Sequence, residues 1–234
     1  VGVWLDENKL VIYNGDLTGR IVPVNADLWN EDELREVIQK GEDFLNIRFK
    51  ESFTSEAIKA SSGNVYIVQE TCHRACNESG IHKTVVGERR LVGDGLNARS
   101  LVAEIIQEQS GRYNAFITNY ASGFQETALA MHKWLLYPIL TSSIEELSKG
   151  LTYRSIRSKI TSGHPQGKNL NPGNITQALK AVSSLQLSKS IQPIILDYDE
   201  SNLTLHIVDK GFLIWLSMQD RNELLSTVGL PEMT

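Results

Sequence analysis

Apolar residues recur every three or four positions through most of this chain, a spacing that is typical of amphipathic helices. Asn30 and Glu33 have the spacing of a capping box, so a first helix is predicted to begin there, with Leu34 and Ile38 on its apolar face. The same period predicts further helices over 54–61, 64–79, 96–109 and 113–120. The first three helices are expected to form a small helical subdomain.

The second half of the chain carries its own helix boundaries. Ser122 and Gln125 have capping-box spacing and predict a long helix after them. Ser142 and Glu145 repeat that spacing ahead of a short helix that Gly150 would end. These signals predict two consecutive helices joined by a tight turn.

Two more helices and a hairpin complete the pattern. Helices are predicted from Thr152 through Ile160 and from Pro172 to about Lys189. Strands are predicted over 194–198 and 203–208, joined by a turn at 199–202. Helices followed by a two-stranded hairpin describe a winged helix-turn-helix. The predicted fold class is therefore mainly α with a small β component.

Length and composition indicate an ordinary globular protein. The chain has 234 residues, enough for two domains, and is 41% hydrophobic and 22% charged. No apolar run approaches the roughly 20 residues that span a bilayer, and the start is not a signal peptide, so a cytoplasmic location and no membrane partner are expected. Residues 1–28 read as strand, turn and strand without an initiating Met, which predicts a fragment whose N-terminal part is missing.

Cys72 and Cys76 are the only cysteines in the chain. Their spacing puts both on the apolar face of the 64–79 helix, which favours buried thiols over a metal site. His73 lies beside that face, but zinc would need four convergent donors and the sequence offers no second cluster. No bound metal is expected.

Charge is strongly segregated along the chain. The protein has a net charge of −5, yet residues 147–196 contain seven basic residues and no Asp or Glu. We call this segment the acid-free block. Such a block concentrates positive potential where a polyanion, nucleic acid above all, could bind. The alternative is a solvated basic face that packs on an acidic partner domain.

The only candidate nucleotide-binding loop is the segment from Gly163 to Asn169, and it does not fit. A phosphate-binding loop needs four residues between its glycines and a Ser or Thr after the Lys. Here three residues separate Gly163 from Gly167, and Asn169 follows Lys168. No catalytic triad, carboxylate pair or metalloprotease motif stands out elsewhere.

Four motifs, in order, resemble the C-terminal half of a prokaryotic AAA+ or STAND-type P-loop ATPase. They are the D-L-T-G-R-I-V-P-V run at 16–24, the S-G-N-V-Y-I-V-Q-E run at 62–70, the P-I-I-L-D-Y-D run at 193–199 and the L-H-I-V-D-K-G-F run at 205–212. The resemblance implies the end of the ATPase core at 1–28, a helical lid at 29–82, a helical connector at 83–122 and a winged-helix domain at 123–234.

The resemblance also assigns roles to two residues. Arg20 corresponds to an arginine finger, which reaches a neighbouring subunit's nucleotide and stabilises the transferring phosphate. The alternative role of Arg20 is a surface arginine at the end of a turn. Tyr66 stands where many lids carry a second sensor arginine, which favours the STAND-like or initiator-like members.

The rest of the implied ATPase lies outside this sequence. Walker A and Walker B motifs are absent, so ATP, Mg²⁺ and hydrolysis are expected only for a longer parent protein. This chain alone is expected to be non-catalytic, to associate with the missing core, and to form homo-oligomers through the ATPase region.

The winged helix is expected to bind DNA through the acid-free block, with the helix from Asn174 to Lys189 as the groove-entering element and the one from Thr152 to Ile160 as the runner-up. The expected phosphate contacts are Lys149, Arg154, Arg157, Lys159, Lys168, Lys180 and Lys189, and the expected base contacts are Asn174, Thr176, Gln177 and Ser183. The alternative is a regulatory protein-interaction module of a STAND ATPase that binds no nucleic acid.

Overall fold

A computed structural model describes residues 29–233, except for the side chain of Lys168. The described residues are mainly helical (61%), with one two-stranded parallel sheet and one three-stranded antiparallel sheet. The chain divides into two compact units, one ending at Ser110 and the other beginning at Gly111. No helix among the described residues is long and apolar enough to cross a membrane.

The first unit contains four helices and two short strands. They are α1 (Glu31–Leu45), β1 (Ile47–Phe49), α2 (Glu51–Ser61), α3 (Val65–Glu78), β2 (Arg90–Val92) and α4 (Ala98–Glu108). β1 and β2 pair in parallel, with Phe49 opposite Val92. α4 packs against α2 and α3, and α1 packs against α2 and α3. β2 and α4, which come from the segment after residue 82, contribute Val92 and Leu101 to the core of this unit.

Side-chain caps determine where these helices begin. The predicted capping box of α1 is confirmed, because Asn30 accepts from the Glu33 N–H and the Glu33 carboxylate accepts from the Asn30 N–H. Between α2 and α3 the chain turns through Ser62 and Gly63, both with positive φ. Asn64 then caps α3 by accepting from the Ile67 N–H at 3.2 Å.

The second unit contains eight helices and three strands among the described residues. They are α5 (Ser110–Ala121), α6 (Met131–Thr141), α7 (Ile144–Lys149), β3 (Leu151–Thr152), α8 (Tyr153–Gly163), α9 (Pro172–Lys180), α10 (Val182–Ser188), β4 (Leu196–Asp199), β5 (Thr204–Ile207), α11 (Lys210–Ser217) and α12 (Arg221–Thr227). A short 3-10 helix (Gly167–Asn169) joins α8 to α9.

α6 lies at the centre of the second unit. α8, α9 and α12 pack against it, and Leu135, Leu136, Ile139 and Leu140 are fully buried. The sheet has the order β3-β5-β4 and is antiparallel throughout. α7 and α11 pack against β5, while α10 packs against β4. The predicted hairpin is therefore confirmed as β4 and β5.

Two predicted helix starts are wrong. The helix predicted from Ser122 begins at Met131, because the Ser122 hydroxyl donates to Asn119 at the end of α5 and Ala130, with φ 44°, precedes α6. The capping box predicted at Ser142 lies one residue later, where Ser143 and Glu146 bond reciprocally.

Three other boundaries in this unit agree with the sequence more closely. Gly150 ends α7 and Thr152 caps α8, as predicted, although α8 continues to Gly163. The helix predicted from Pro172 begins there but is divided at Ala181 into α9 and α10. The apolar stripe continues across that break, since Leu179 and Val182 are both fully buried.

Candidate nucleic-acid interface

Arg154 and Arg157 lie on the exposed side of α8. Ile156 and Ile160 are buried on the opposite side, whereas both arginines are exposed. Three residues apart on a helix, the two arginines are neighbours. Neither forms an ion pair with any residue of the described chain, so two cations of the acid-free block stand together without a counter-charge.

Two lysines of the block are held by glutamates that precede it in sequence. Lys149 Nζ lies 2.7 Å from the Glu145 carboxylate, one helical turn away in α7. Lys159 is half-buried: its Nζ donates to the Thr141 carbonyl at 3.2 Å and lies 3.9 Å from Glu146. The Ser143 backbone N–H, and secondarily Lys159, hold the pKa of the Glu146 carboxyl below its usual value.

A third lysine is held by a glutamate that follows the block. Lys180 at the end of α9 lies 2.6 Å from Glu200, in the turn between β4 and β5. Both side chains remain about half exposed. Lys189 caps the end of α10 and is half-buried, with no ion-pair partner among residues 29–233. Glutamates from outside the acid-free block thus neutralise part of its positive charge in the folded protein.

The predicted base-reading residues differ in accessibility. Gln177 is exposed on α9, whereas Asn174 is half-buried. Thr176 is half-buried and its hydroxyl donates to the Pro172 carbonyl at 3.2 Å. The Ser183 hydroxyl donates to Asp197 at 2.9 Å. Of the four, Gln177 is the one presented to solvent.

The predicted site residue Arg20 lies outside the described residues, and so does the side chain of Lys168. Tyr66 is 56% exposed in the first turn of α3.

The segment from Gly163 to Asn169 turns tightly, because a Cβ on Gly167 would lie 1.9 Å from the Thr161 carbonyl oxygen. That close approach explains the glycine without a phosphate ligand.

The cysteines are both on the inner side of α3, as predicted, but to different degrees. Cys76 is buried and Cys72 is half-buried. Burial raises the pKa of the Cys72 thiol to about 12 and also raises the pKa of Cys76, so both are protonated at neutral pH. Among residues 29–233 there is no group of three or more His, Cys, Asp or Glu side chains that could hold a metal ion.

Two polar contacts that organise the second unit were not predicted from the sequence. Gln186 is fully buried and bonds the backbone of Ile195 and Leu196, which attaches α10 to β4. Arg112 lies 2.8 Å from Asp209, which also accepts from the Phe212 N–H at the start of α11. Gln186 could have been noticed as a polar residue beside the apolar stripe of its helix. No local pattern links Arg112 to Asp209, which lie 97 positions apart.

The exposed polar groups of the predicted interface are thus Arg154 and Arg157 on α8 and Gln177 on α9, while carboxylates engage Lys149, Lys159 and Lys180. No protein family, curated protein or solved structure matches this chain.

Proposed function

We propose that residues 123–234 form a winged helix-turn-helix that binds double-stranded DNA, and that the chain is the lid and winged-helix portion of an AAA+ or STAND-type ATPase. The observation that carries the DNA proposal is the pair Arg154 and Arg157, exposed on α8 without a counter-charge within the described chain. Guanidinium groups suit bidentate contacts with phosphate oxygens.

The order of the elements supports the winged helix. β3 precedes α8, the α9–α10 pair follows, and the β4–β5 hairpin comes next and pairs with β3 through β5. Arg154, Arg157 and Lys189 would supply phosphate contacts that do not depend on sequence. Gln177 would read a base edge, because glutamine can bond adenine through both its donor and its acceptor.

The parent ATPase is the broader part of the proposal. The first unit supports a lid, since the S-G-N-V-Y run forms the corner between two packed helices, with Asn64 as a helix cap. In the parent, ATP and Mg²⁺ would bind the missing core, and Arg20 would act as a finger toward a neighbouring subunit of a homo-oligomer. Arg20→Ala in the full-length protein would then reduce turnover while nucleotide affinity stays nearly unchanged.

A second candidate function has its own observation. Glutamates outside the acid-free block already engage Lys149, Lys159 and Lys180. Internal neutralisation of this kind favours a regulatory module whose basic surface is part of the protein's own packing, with no nucleic-acid ligand.

Salt-dependent binding to duplex DNA distinguishes the two functions. We expect measurable binding at about 50 mM salt, and replacing both Arg154 and Arg157 by Ala should make the slope of log affinity against log salt shallower by about 1.8. Arg48→Ala is the matched control, because Arg48 is also exposed without an ion pair in the described chain but lies in β1. Absence of binding to any duplex at low salt would overturn the DNA proposal and leave the regulatory module.

A further inference from the structure

A concave pocket of about 340 Å³ lies within the first unit, between α1 and α3. α1 contributes Val37, Ile38, Gly41 and Leu45 to its wall. α3 contributes Val68, both cysteines and three polar side chains, those of Gln69, His73 and Asn77. Its volume is within the range of small-molecule sites, and about twice that of an apolar cavity that holds one benzene ring. The space therefore fits a ligand of two fused rings.

Gly41 of α1 lines this space. It lies inside α1, where glycine destabilises a helix by several tenths of a kcal/mol or more relative to alanine. Glycines in such positions usually permit a close approach of another group. Here a Cβ on Gly41 would meet nothing within 4 Å. The missing side chain therefore contributes volume to the pocket.

The lining determines the chemistry of the ligand. None of the described residues that line the pocket is Lys, Arg, Asp or Glu. Because both cysteine thiols are protonated, they add no charge either. A charged group among the apolar walls would lose its hydration without gaining a counter-ion. The occupant is expected to be neutral.

One side of the pocket offers hydrogen bonds. His73 and Asn77, one turn apart on α3, lie 3.2 Å apart between ring nitrogen and amide nitrogen. The Asn77 amide oxygen lies 3.3 Å from His82 Nδ1. All three side chains are exposed and line the rim. A single polar group on the ligand would find donors and acceptors there.

We propose that the pocket between α1 and α3 binds a neutral two-ring aromatic small molecule with one polar substituent, a function separate from DNA binding. The rings would lie against Ile38 and Gly41, and the polar group would face Asn77. An apolar side chain from a protein partner is the competing occupant.

The test uses 2-naphthol as the probe and the whole chain as the protein. Titration followed by probe fluorescence should give a Kd below about 1 mM, consistent with the affinity of small ligands per atom. Amide NMR shifts should be largest around Ile38 and Cys72. The anion 2-naphthoate should bind at least about tenfold more weakly, because none of the described lining residues is Lys or Arg.

Gly41→Leu locates the site. Its side chain should occupy the pocket and weaken 2-naphthol binding by about tenfold or more, while thermal stability is unchanged or higher because a helix glycine is removed. Gly111→Leu is the matched control, since Gly111 also lies in a helix with nothing within 4 Å of its Cβ, but in α5. It should leave binding unchanged.

Three outcomes would each overturn the proposal: equal binding of naphthol and naphthoate, an unaffected Gly41→Leu variant, or no naphthol binding. The last outcome would leave a partner's side chain as the occupant.

Discussion

The side chain of Gln186 pairs with the backbone of Leu196 as a neighbouring strand would. Gln186 Nε2 donates to the Leu196 carbonyl at 2.7 Å, and Gln186 Oε1 accepts from the Leu196 N–H at 3.0 Å. β4 is an outer strand of its sheet, so these backbone groups face away from β5. The same Oε1 also accepts from the Ile195 N–H at 2.7 Å. The side-chain amide of Gln186 thus bonds backbone groups at the buried edge of β4 that would otherwise lack partners.

Gln186→Met should therefore destabilise the second unit strongly. Methionine fills a similar volume but leaves two N–H groups and one carbonyl of Ile195 and Leu196 without partners in the core. At about 1–3 kcal/mol for each unsatisfied group, a loss of at least about 3 kcal/mol is expected in urea unfolding. Gln177→Met, on the exposed side of α9, should change stability by less than about 0.5 kcal/mol. Similar urea midpoints for the two variants would contradict this role of Gln186.

Local signals explain what the sequence could predict. Asn30 with Glu33, Thr152 before α8 and Gly150 after α7 act within one helical turn, so spacing alone reveals them. The same spacing also occurred at Ser122, where the hydroxyl is used by the preceding helix instead. A capping pattern identifies a helix end but does not say which helix it serves.

Contacts across long sequence distances could not be predicted in this way. Glu200 reaches Lys180 only because the β4–β5 turn lies beside the end of α9. The charge count of residues 147–196 is correct, yet the field they produce depends on glutamates outside that range. The sequence predicts an interface from all the basic residues of the acid-free block. In the folded protein, the candidate interface is limited to the basic side chains that have no carboxylate partner.

Tyr120→Phe should stabilise the protein. The Tyr120 ring is fully buried, and its hydroxyl has no hydrogen-bond partner among the described residues. Removing an unsatisfied buried hydroxyl should add about 1 kcal/mol to the free energy of unfolding. Tyr113→Phe is the contrasting variant, because the Tyr113 hydroxyl lies 3.3 Å from Asp209 and its loss should cost about 1 kcal/mol. Opposite shifts in Tm are expected, and a lower Tm for Tyr120→Phe would indicate an unseen partner.

His132 should make the second unit sensitive to acid. Its ring packs edge-on against Tyr120 and Phe124, and its buried Nδ1 has no partner in the described chain. Burial lowers the pKa of His132 in the folded protein. Below about pH 6.5 the unfolded chain binds a proton that the folded protein does not, so stability falls as the pH falls.

Unfolding measured across that pH range checks the contribution of His132. His132→Gln should reduce the loss of stability between about pH 7 and pH 5, because the group that titrates differently in the two states is gone. An unaltered pH profile in His132→Gln would show that other groups cause it.

Glu200→Gln should strengthen DNA binding if the proposed function holds. In the wild-type protein Glu200 lies 2.6 Å from Lys180, so a phosphate must compete with a carboxylate for that lysine. Freed from its partner, Lys180 can make one more phosphate contact, which should steepen the slope of log affinity against log salt by about 0.9. Lys180→Ala should abolish this gain in the Glu200→Gln background and change the slope much less in the wild-type background.

Glu223→Gln is the control, since Glu223 on α12 has no basic partner in the described chain. Wild-type binding with an identical slope in Glu200→Gln would mean that Lys180 is not at the DNA surface, which would then be confined to Arg154, Arg157 and their neighbours on α8.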